Sequence, residues 1–287
     1  MVFKFLRELI DSAKEGIAEG KAELASEAAE READAANRQS QRTALIDRLK
    51  AAPGPELFAL QLAAPYRAIF IDDDLVSLVS FEMAPARHDE LAKLLERDFG
   101  ARDTDSTRMT FRLMEALAYG DALVRTAEER GEHPDDFAAF EADVKQLSAT
   151  FDAFLASGDI PGDRDFAALT TLANRWHQEV TAKAMPHSAR WEAQFAHMAA
   201  KLGHLSTAAV GLGYLTQADA VGMAGQLLRL SHDLFDGWAD YAAAFTAGLK
   251  DDPTANFLSR KVLASKADKL LTSEQSPWTV FGWPGTI

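Results

Sequence analysis

The chain reads as mostly α-helical: a single multi-helix globular domain with an N-terminal helical extension. Three observations carry that reading. Apolar residues recur at three- and four-residue steps over much of the sequence, the spacing that gathers side chains on one face of an α-helix. Glycine, proline and acidic runs interrupt the pattern where helices end. The stretch from Ser188 to Leu249 resolves into three consecutive helices with their own start and stop signals.

In the first of these helices Trp191, Phe195, Met198, Leu202, Leu205 and Ala209 share a face, and Ser188 is placed to cap it. Gly211 and Gly213 break it. Thr216 followed by Asp219 has the form of a capping box for the next helix, whose apolar side runs Val221, Ala224, Leu227, Leu228, Ser231 and Leu234. Asp236 is positioned as N-cap of a third helix carrying Trp238, Tyr241, Phe245 and Leu249, with Gly248 and Asp251-Asp252-Pro253 expected to stop it.

At 287 residues and 47% apolar content, the chain is long enough to bury a full core. Its net charge of −14 opposes a phosphate backbone, so no nucleic-acid partner is expected. Without cysteine there are no disulfides, thiolate metal sites or cysteine nucleophiles. No apolar run approaches the roughly 20 residues that cross a bilayer. Lys4, Arg7 and Glu8 interrupt the start where a signal peptide needs an apolar run, so a bacterial-type cytoplasm is the expected location.

Residues 1–43 form the extension. Phe3, Leu6, Leu9, Ile10, Ala13 and Ile17 lie on one helical side against mostly charged residues, which predicts an amphipathic helix. It either docks on protein, through Phe3, Leu6, Ile10 and Ile17, or lies on a membrane surface, where its balanced charge gives little attraction to anionic lipid. From Ala18 to Thr43 only Leu24 is large and apolar, so a solvated helix or frayed linker is expected.

The domain proper spans residues 44–287. After the Pro53-Gly54-Pro55 break, the segment to Phe81 admits two readings: a buried helix carrying Pro65, or a short β-hairpin near 68–81 split by Asp72-Asp73-Asp74. Further helices are predicted from Pro85 to Phe99, from Asp105 or Ser106 to Gly131, over Phe137–Leu155, over Phe166–Val180, and from Pro253 to about Leu271. In the last of these Arg260, Lys261, Lys266 and Lys269 oppose only Asp268, making it the one basic segment. Ser276-Pro277-Trp278 and Trp283-Pro284 then form an extended tail expected to pack back over the helices of 213–249.

Gly213-Tyr214-Leu215-Thr216, Phe235-Asp236-Gly237-Trp238 with Tyr241 and Gly248, and the closing Leu270-Leu271, Ser276-Pro277-Trp278 and Trp283 together resemble the bacterial domain of unknown function 1266 family, which includes YbeU- and YbeR-like proteins. Leu94-Leu95-Glu96-Arg97-Asp98-Phe99-Gly100 looks like that family's N-terminal half, so the resemblance covers Leu57 to Trp283. It implies a helix over 57–70. The family's Trp-Asp pair and Arg fall here at His197, Met198 and Lys201, and its Gly-His-Arg element at Gly120-Asp121-Ala122. No enzymatic activity carries over from the resemblance.

No constellation for catalysis stands out. His197 and His204 share a helix flank but lie two turns apart with Lys201 between, which does not suit a single metal, and both read as surface or groove histidines. His177 with His187, and His232 with Asp233, match no metal spacing; neither cofactor nor metal is expected. Asp72-Asp73-Asp74 reads as a solvated turn. The expected function is a non-catalytic interaction or adaptor protein, binding a protein partner through a helical groove and the N-terminal helix. The alternative is a hydrolase-like enzyme with a pocket near the 201–219 helix break, drawing on Lys201, His204, Tyr214, Asp219 and Trp238.

Overall fold

The computed structural model describes residues 36–37, 39–72, 74–131, 137–157, 163–182, 189–252 and 255–285. The chain divides into two units, Met1–Ala52 and Pro53–Ile287, at the Pro53-Gly54-Pro55 break. In the first, residues 39–51 are helical. Phe3, Leu6, Ile10 and Ile17, together with Ser188, lie outside the described residues.

The second unit consists of α1 (Pro55–Phe70), a short α2 (Leu75–Leu78), a 3-10 turn (Pro85–Arg87) leading into α3 (His88–Phe99), α4 (Thr104–Arg130), α5 (Phe137–Ser157), α6 (Asp163–Ala182), α7 (Ala189–Gly211), α8 (Gln217–Leu234), α9 (Trp238–Asp251), α10 (Phe257–Thr272) and α11 (Pro277–Phe281). The fold is helical throughout, with no strand among the described residues.

α7 is the centre. It packs against α1, α3, α4, α8 and α9, and is buried nearly all round. The sequence permits this because Ala193, Ala196, Ala199, Ala200, Gly203, Ala208 and Ala209 present little side chain, so neighbouring helices approach closely. α1 crosses at Gly203, whose Cα faces the Ala59 carbonyl and Ala63. α9 crosses at Gly248, which sits directly on the Ala193 carbonyl. Gly248 therefore does not stop α9; it lies inside the helix, which runs on to Asp251.

The 68–81 segment is helix and turn rather than hairpin. α1 continues to Phe70, and the Asp74 carboxylate accepts from the amides of Val76 and Ser77 to start α2. A side chain that satisfies the first amides of a helix favours that conformation over a strand ladder. Arg67, buried in α1, holds the following loop by donating through Nη2 to the carbonyls of Ser77 and Ser80, at 2.7 and 2.6 Å.

Other boundaries follow caps. Gly100 ends α3 in the left-handed conformation, φ 65°. Asp103 starts α4 by accepting from the Ser106 amide at 2.8 Å. The Thr216/Asp219 capping box opens α8 as expected. At α9 the expected Asp236 cap is absent: Gly237 occupies the N-cap, and the Asp240 carboxylate reaches back to the Asp236 amide at 3.2 Å. α10 begins at Phe257, later than the sequence suggested, because the Asn256 side chain caps it through the Ser259 amide.

The tail is ordered structure of its own. Ser276 caps α11 by accepting from the Thr279 amide, so residues expected to be extended form a short helix. Trp278 stacks on Trp238 with centroids 5.0 Å apart and planes 4° apart, and Trp283 meets Trp238 edge-on at 4.5 Å. The clamp also involves α1, since Phe58 packs on Trp283 at 5.1 Å and Gln61 Nε2 donates to the carbonyls of Pro277 and Gly282.

Candidate functional site

The densest set of polar side chains lies inside the body, where α1 crosses α7. Tyr66 projects from α1 between the two α7 histidines, its ring 6.2 Å from that of His197 and 5.8 Å from that of His204. Two helical turns separate the histidines along α7, and one tyrosine ring fills the gap. Both histidines are buried, not surface or groove residues as the sequence suggested.

The Tyr66 hydroxyl lies 2.7 Å from His197 Nε2. Burial, then the Asp252 carboxylate, pushes the phenol well above its ordinary range, so it keeps its proton and donates. Burial above all, and then the Lys201 ammonium, pulls His197 down to about 4 against the opposing effect of Asp252. A neutral His197 accepting at Nε2 carries its proton on Nδ1. Its 3.6 Å approach to Asp252 is then no ion pair at neutral pH. The charge on Asp252 is met instead by Lys201 Nζ at 2.6 Å. Lys201 is the member of this set that reaches solvent, with its side chain 23% exposed.

His204 lies deeper, among Tyr66, Phe70 and Phe99. Burial and then the nearby Arg67 guanidinium bring it down to about 3. Neither ring nitrogen has a hydrogen-bond partner among the described residues, and the same is true of Arg67 Nε and Nη1. Arg67 itself is lowered to about 9 by burial. An unpaired guanidinium in the interior is costly, and its two bonds to loop carbonyls are what offset that cost.

The five pocket residues expected from sequence fall into separate sets of contacts. Lys201 and His204 belong to the α1–α7 crossing. The Tyr214 carbonyl accepts from Thr104 Oγ1 at 2.5 Å, and Asp219 pairs with Arg108 at 3.1 Å while capping α8, so both serve the α7–α8 turn and its contact with α4. Hydrogen bonds to Thr216 first, and then the Arg108 charge, hold Asp219 below the usual carboxylate range. Trp238 belongs to the tail clamp, where its indole N–H donates to the Gly282 carbonyl at 2.7 Å.

Two further features lie away from this crossing. On α4, Glu115 is fully buried, bonded to Arg112 at 2.5 Å and approached by the Tyr119 hydroxyl at 3.4 Å. Burial raises the Glu115 carboxyl, and Arg112 opposes that shift. On α10, Leu263, Ala267 and Leu270 face inward, while Phe257 and Leu258 stand 80% and 68% exposed with Val262 beside them. Arg260 turns back to donate to the Asp252 carbonyl at 2.7 Å, sealing the end of α9.

No group of three or more His, Asp or Glu side chains among the described residues is placed to hold a metal ion. His177 lies against the Tyr119 ring at 5.2 Å, and His232 Nε2 is 3.2 Å from the Pro284 carbonyl. No described helix is long and apolar enough to cross a membrane.

Sequence reasoning passed over Tyr66, Arg67 and Asp252. A signal was available in α1, because Gln61 and Arg67 are polar residues in a run that is otherwise largely apolar from Leu57 to Ile71. A polar side chain at a buried helical position needs a partner, and Gln61 and Arg67 find theirs in the tail and the α2 loop.

These observations define a mostly helical protein organised on a central buried helix, with its histidines sealed against that helix's neighbours. A family model described as Protein of unknown function (DUF1266) matches residues 87–283, and the chain belongs to that family. The match begins at Arg87, so α1, with Tyr66 and Arg67, precedes it. No curated protein and no solved structure matches the chain.

Proposed function

We propose that the protein is a non-catalytic interaction protein whose α10 face receives an acidic amphipathic helix of a partner protein. The observation that carries this reading is the exposure of Phe257 and Leu258 at the start of a well-capped helix, with Val262 one turn on. Large apolar side chains standing together in water are the usual mark of an interaction surface. Leu258, Val262, Ser265 and Lys269 follow one line along α10, about 16 Å long at the helical rise. Lys261 borders it, an exposed cation in a chain whose net charge is −14. Charge complementarity therefore favours an acidic partner, with apolar residues at helical spacing to meet Leu258 and Val262.

The amphipathic pattern of Phe3, Leu6, Ile10 and Ile17 would supply a second contact to the same partner. A bacterial, cytoplasmic setting and kinship with YbeU- and YbeR-like proteins belong to the same proposal and rest on the sequence motifs.

A photo-crosslinking residue at position 258 of the full-length chain identifies what covers this face, and the captured protein is then purified and titrated directly. Expected are saturable binding that weakens with salt and its loss in the F257E/L258E variant at unchanged helical content. Undiminished binding by that variant overturns the reading. So does crosslinking only to a second copy of the chain, or sedimentation with anionic vesicles in place of a protein partner.

A further inference from the structure

α4 and α8 both pack on α7 but touch one another little, and between them lies a cleft of about 450 Å3 lined by residues of α8, Arg112 of α4, and Pro55. That volume is in the range of small-molecule sites. We propose that this cleft binds a small organic anion, with its carboxylate or phosphate on Arg112 and Arg229 and its apolar part along the α8 wall.

Charge gives the first argument. Arg112 and Arg229 both line the cleft, and the carboxylate that accompanies them, Glu115, is buried behind Arg112. Arg112 has only 17% of its side chain exposed, so its guanidinium is held in place by the Glu115 bond rather than moving freely in solvent. Arg229 is exposed and forms no ion pair among the described residues, leaving one positive charge uncompensated at the mouth. A planar guanidinium fixed by a buried acid, with a second one free to close over the ligand, suits an oxyanion better than it suits a cation or a neutral group.

The wall gives the second. Six described glycines sit within helices of this unit. Gly120, Gly211 and Gly248 each have a reason in packing, because a Cβ there would press on Trp176, Met83 or Ala193, and at Gly203 it would already lie in contact with Ala59 and Ala63 at 3.4 Å. Gly222 meets nothing within 4 Å, and Gly225 meets only Arg229 Nη1 at 3.7 Å. Both lie mid-helix in α8, three residues apart on the cleft side, where each glycine destabilises a helix by about 1 kcal/mol relative to alanine. No packing contact among the described residues requires them; a ligand lying flat on the helix backbone does. Val221, Met223 and Leu228 supply apolar surface beside them.

The proposal is independent of the α10 interaction. The test uses the full-length protein with 4-fluorobenzoate and phenyl phosphate as probes, 4-fluorobenzamide as the neutral control, and inorganic phosphate as competitor. Binding is read by 19F line broadening for the fluorinated probes and by calorimetry for phenyl phosphate. The expected result is saturable binding of at least one anion and none of the amide, with affinity falling about tenfold in Arg229→Met, the loss of one charge-assisted contact. Gly222→Leu should abolish binding while circular dichroism and Tm stay at or above wild-type values, and the F257E/L258E variant should bind as wild type does. Anion binding that survives both Arg229→Met and Gly222→Leu overturns the proposal, as does equal binding of the amide or failure of every anion to bind. Displacement by inorganic phosphate as strong as by phenyl phosphate would mark an adventitious ion only, and would also overturn the claim of an organic ligand.

Discussion

The indole N–H of Trp278 donates to the carbonyl of Gln61 at 2.8 Å, and that carbonyl is the one Pro65 leaves without its helical donor. A proline inside α1 and a tryptophan more than two hundred residues later are thus parts of one arrangement. The Gln61 side chain completes it from the other direction, donating to the carbonyls of Pro277 and Gly282.

Trp278→Phe keeps most of the ring and removes the N–H, stranding a buried carbonyl, so it should destabilise by about 1 to 3 kcal/mol in urea unfolding. The same change in a Pro65→Ala background should be milder, because an alanine at that position restores an amide that bonds the Gln61 carbonyl within the helix. An equal effect in both backgrounds would assign the whole loss to packing against Trp238.

Removing residues 276–287 takes away Trp278, Trp283 and the bonds to Gln61 and Trp238 together. Trp278 is buried and Trp283 partly so. A fully buried indole contributes on the order of 2 to 3 kcal/mol and a domain of this size shifts by about 2 to 4 °C per kcal/mol, so Tm should fall by on the order of 10 °C. Calorimetry measures it, and an unchanged Tm would mean that the clamp adds nothing to stability.

The helices were readable because caps and periodicity are local. Thr216 and Asp219 are three residues apart and form the capping box their spacing announces. The interior polar contacts were not readable for the opposite reason. Tyr66 and His197 are 131 residues apart, and nothing in the sequence near either one names the other. Gly248 shows the limit within a single residue: a glycine near a helix end resembles a stop signal, and only the position of α7 reveals that it makes room for the Ala193 carbonyl. Asp252 was legible as a terminator of α9 but not as the counter-charge to Lys201 on a different helix. Of the expected pocket, the sequence placed Lys201 and His204 on one helix but had no means of placing Tyr214, Asp219 and Trp238 relative to them.

Stability should fall in mild acid because of the α7 histidines. Their folded values, about 4 for His197 and about 3 for His204, lie below the ordinary 6.5, so the unfolded chain takes up protons first as pH drops. The contribution is complete above 6.5 and is lost as pH falls from there towards 4 and 3. Each histidine gives a slope of about 1.4 kcal/mol per pH unit, so the pair removes on the order of 5 kcal/mol between pH 6.5 and 4.5. His204→Phe should roughly halve that slope in urea unfolding at a series of pH values, and an unaltered slope would place the acid sensitivity elsewhere.

Two glycine-to-alanine substitutions should move stability in opposite directions. In both cases the added methyl improves intrinsic helix propensity by about 1 kcal/mol, so any difference between them comes from what surrounds it. At Gly222 the Cβ enters open space in the α4–α8 cleft, and the variant should gain up to about 1 kcal/mol. At Gly248 the Cβ would fall on the Ala193 carbonyl, with His197 Cβ, one turn further along the same helix, at 2.9 Å. Ala193 belongs to the central helix and cannot give way without shifting α7 against α1 and α4, so α9 must separate from it. Overpacking of this kind costs about 1 to 3 kcal/mol where side chains can adjust, and backbone contact leaves them no adjustment to make. Gly248→Ala should therefore lose at least about 3 kcal/mol in urea unfolding. The Tyr66 to His197 bond would be disturbed as well, since His197 lies directly under the clash. If Gly248→Ala unfolds at the wild-type urea concentration, α9 does not cross α7 at this point.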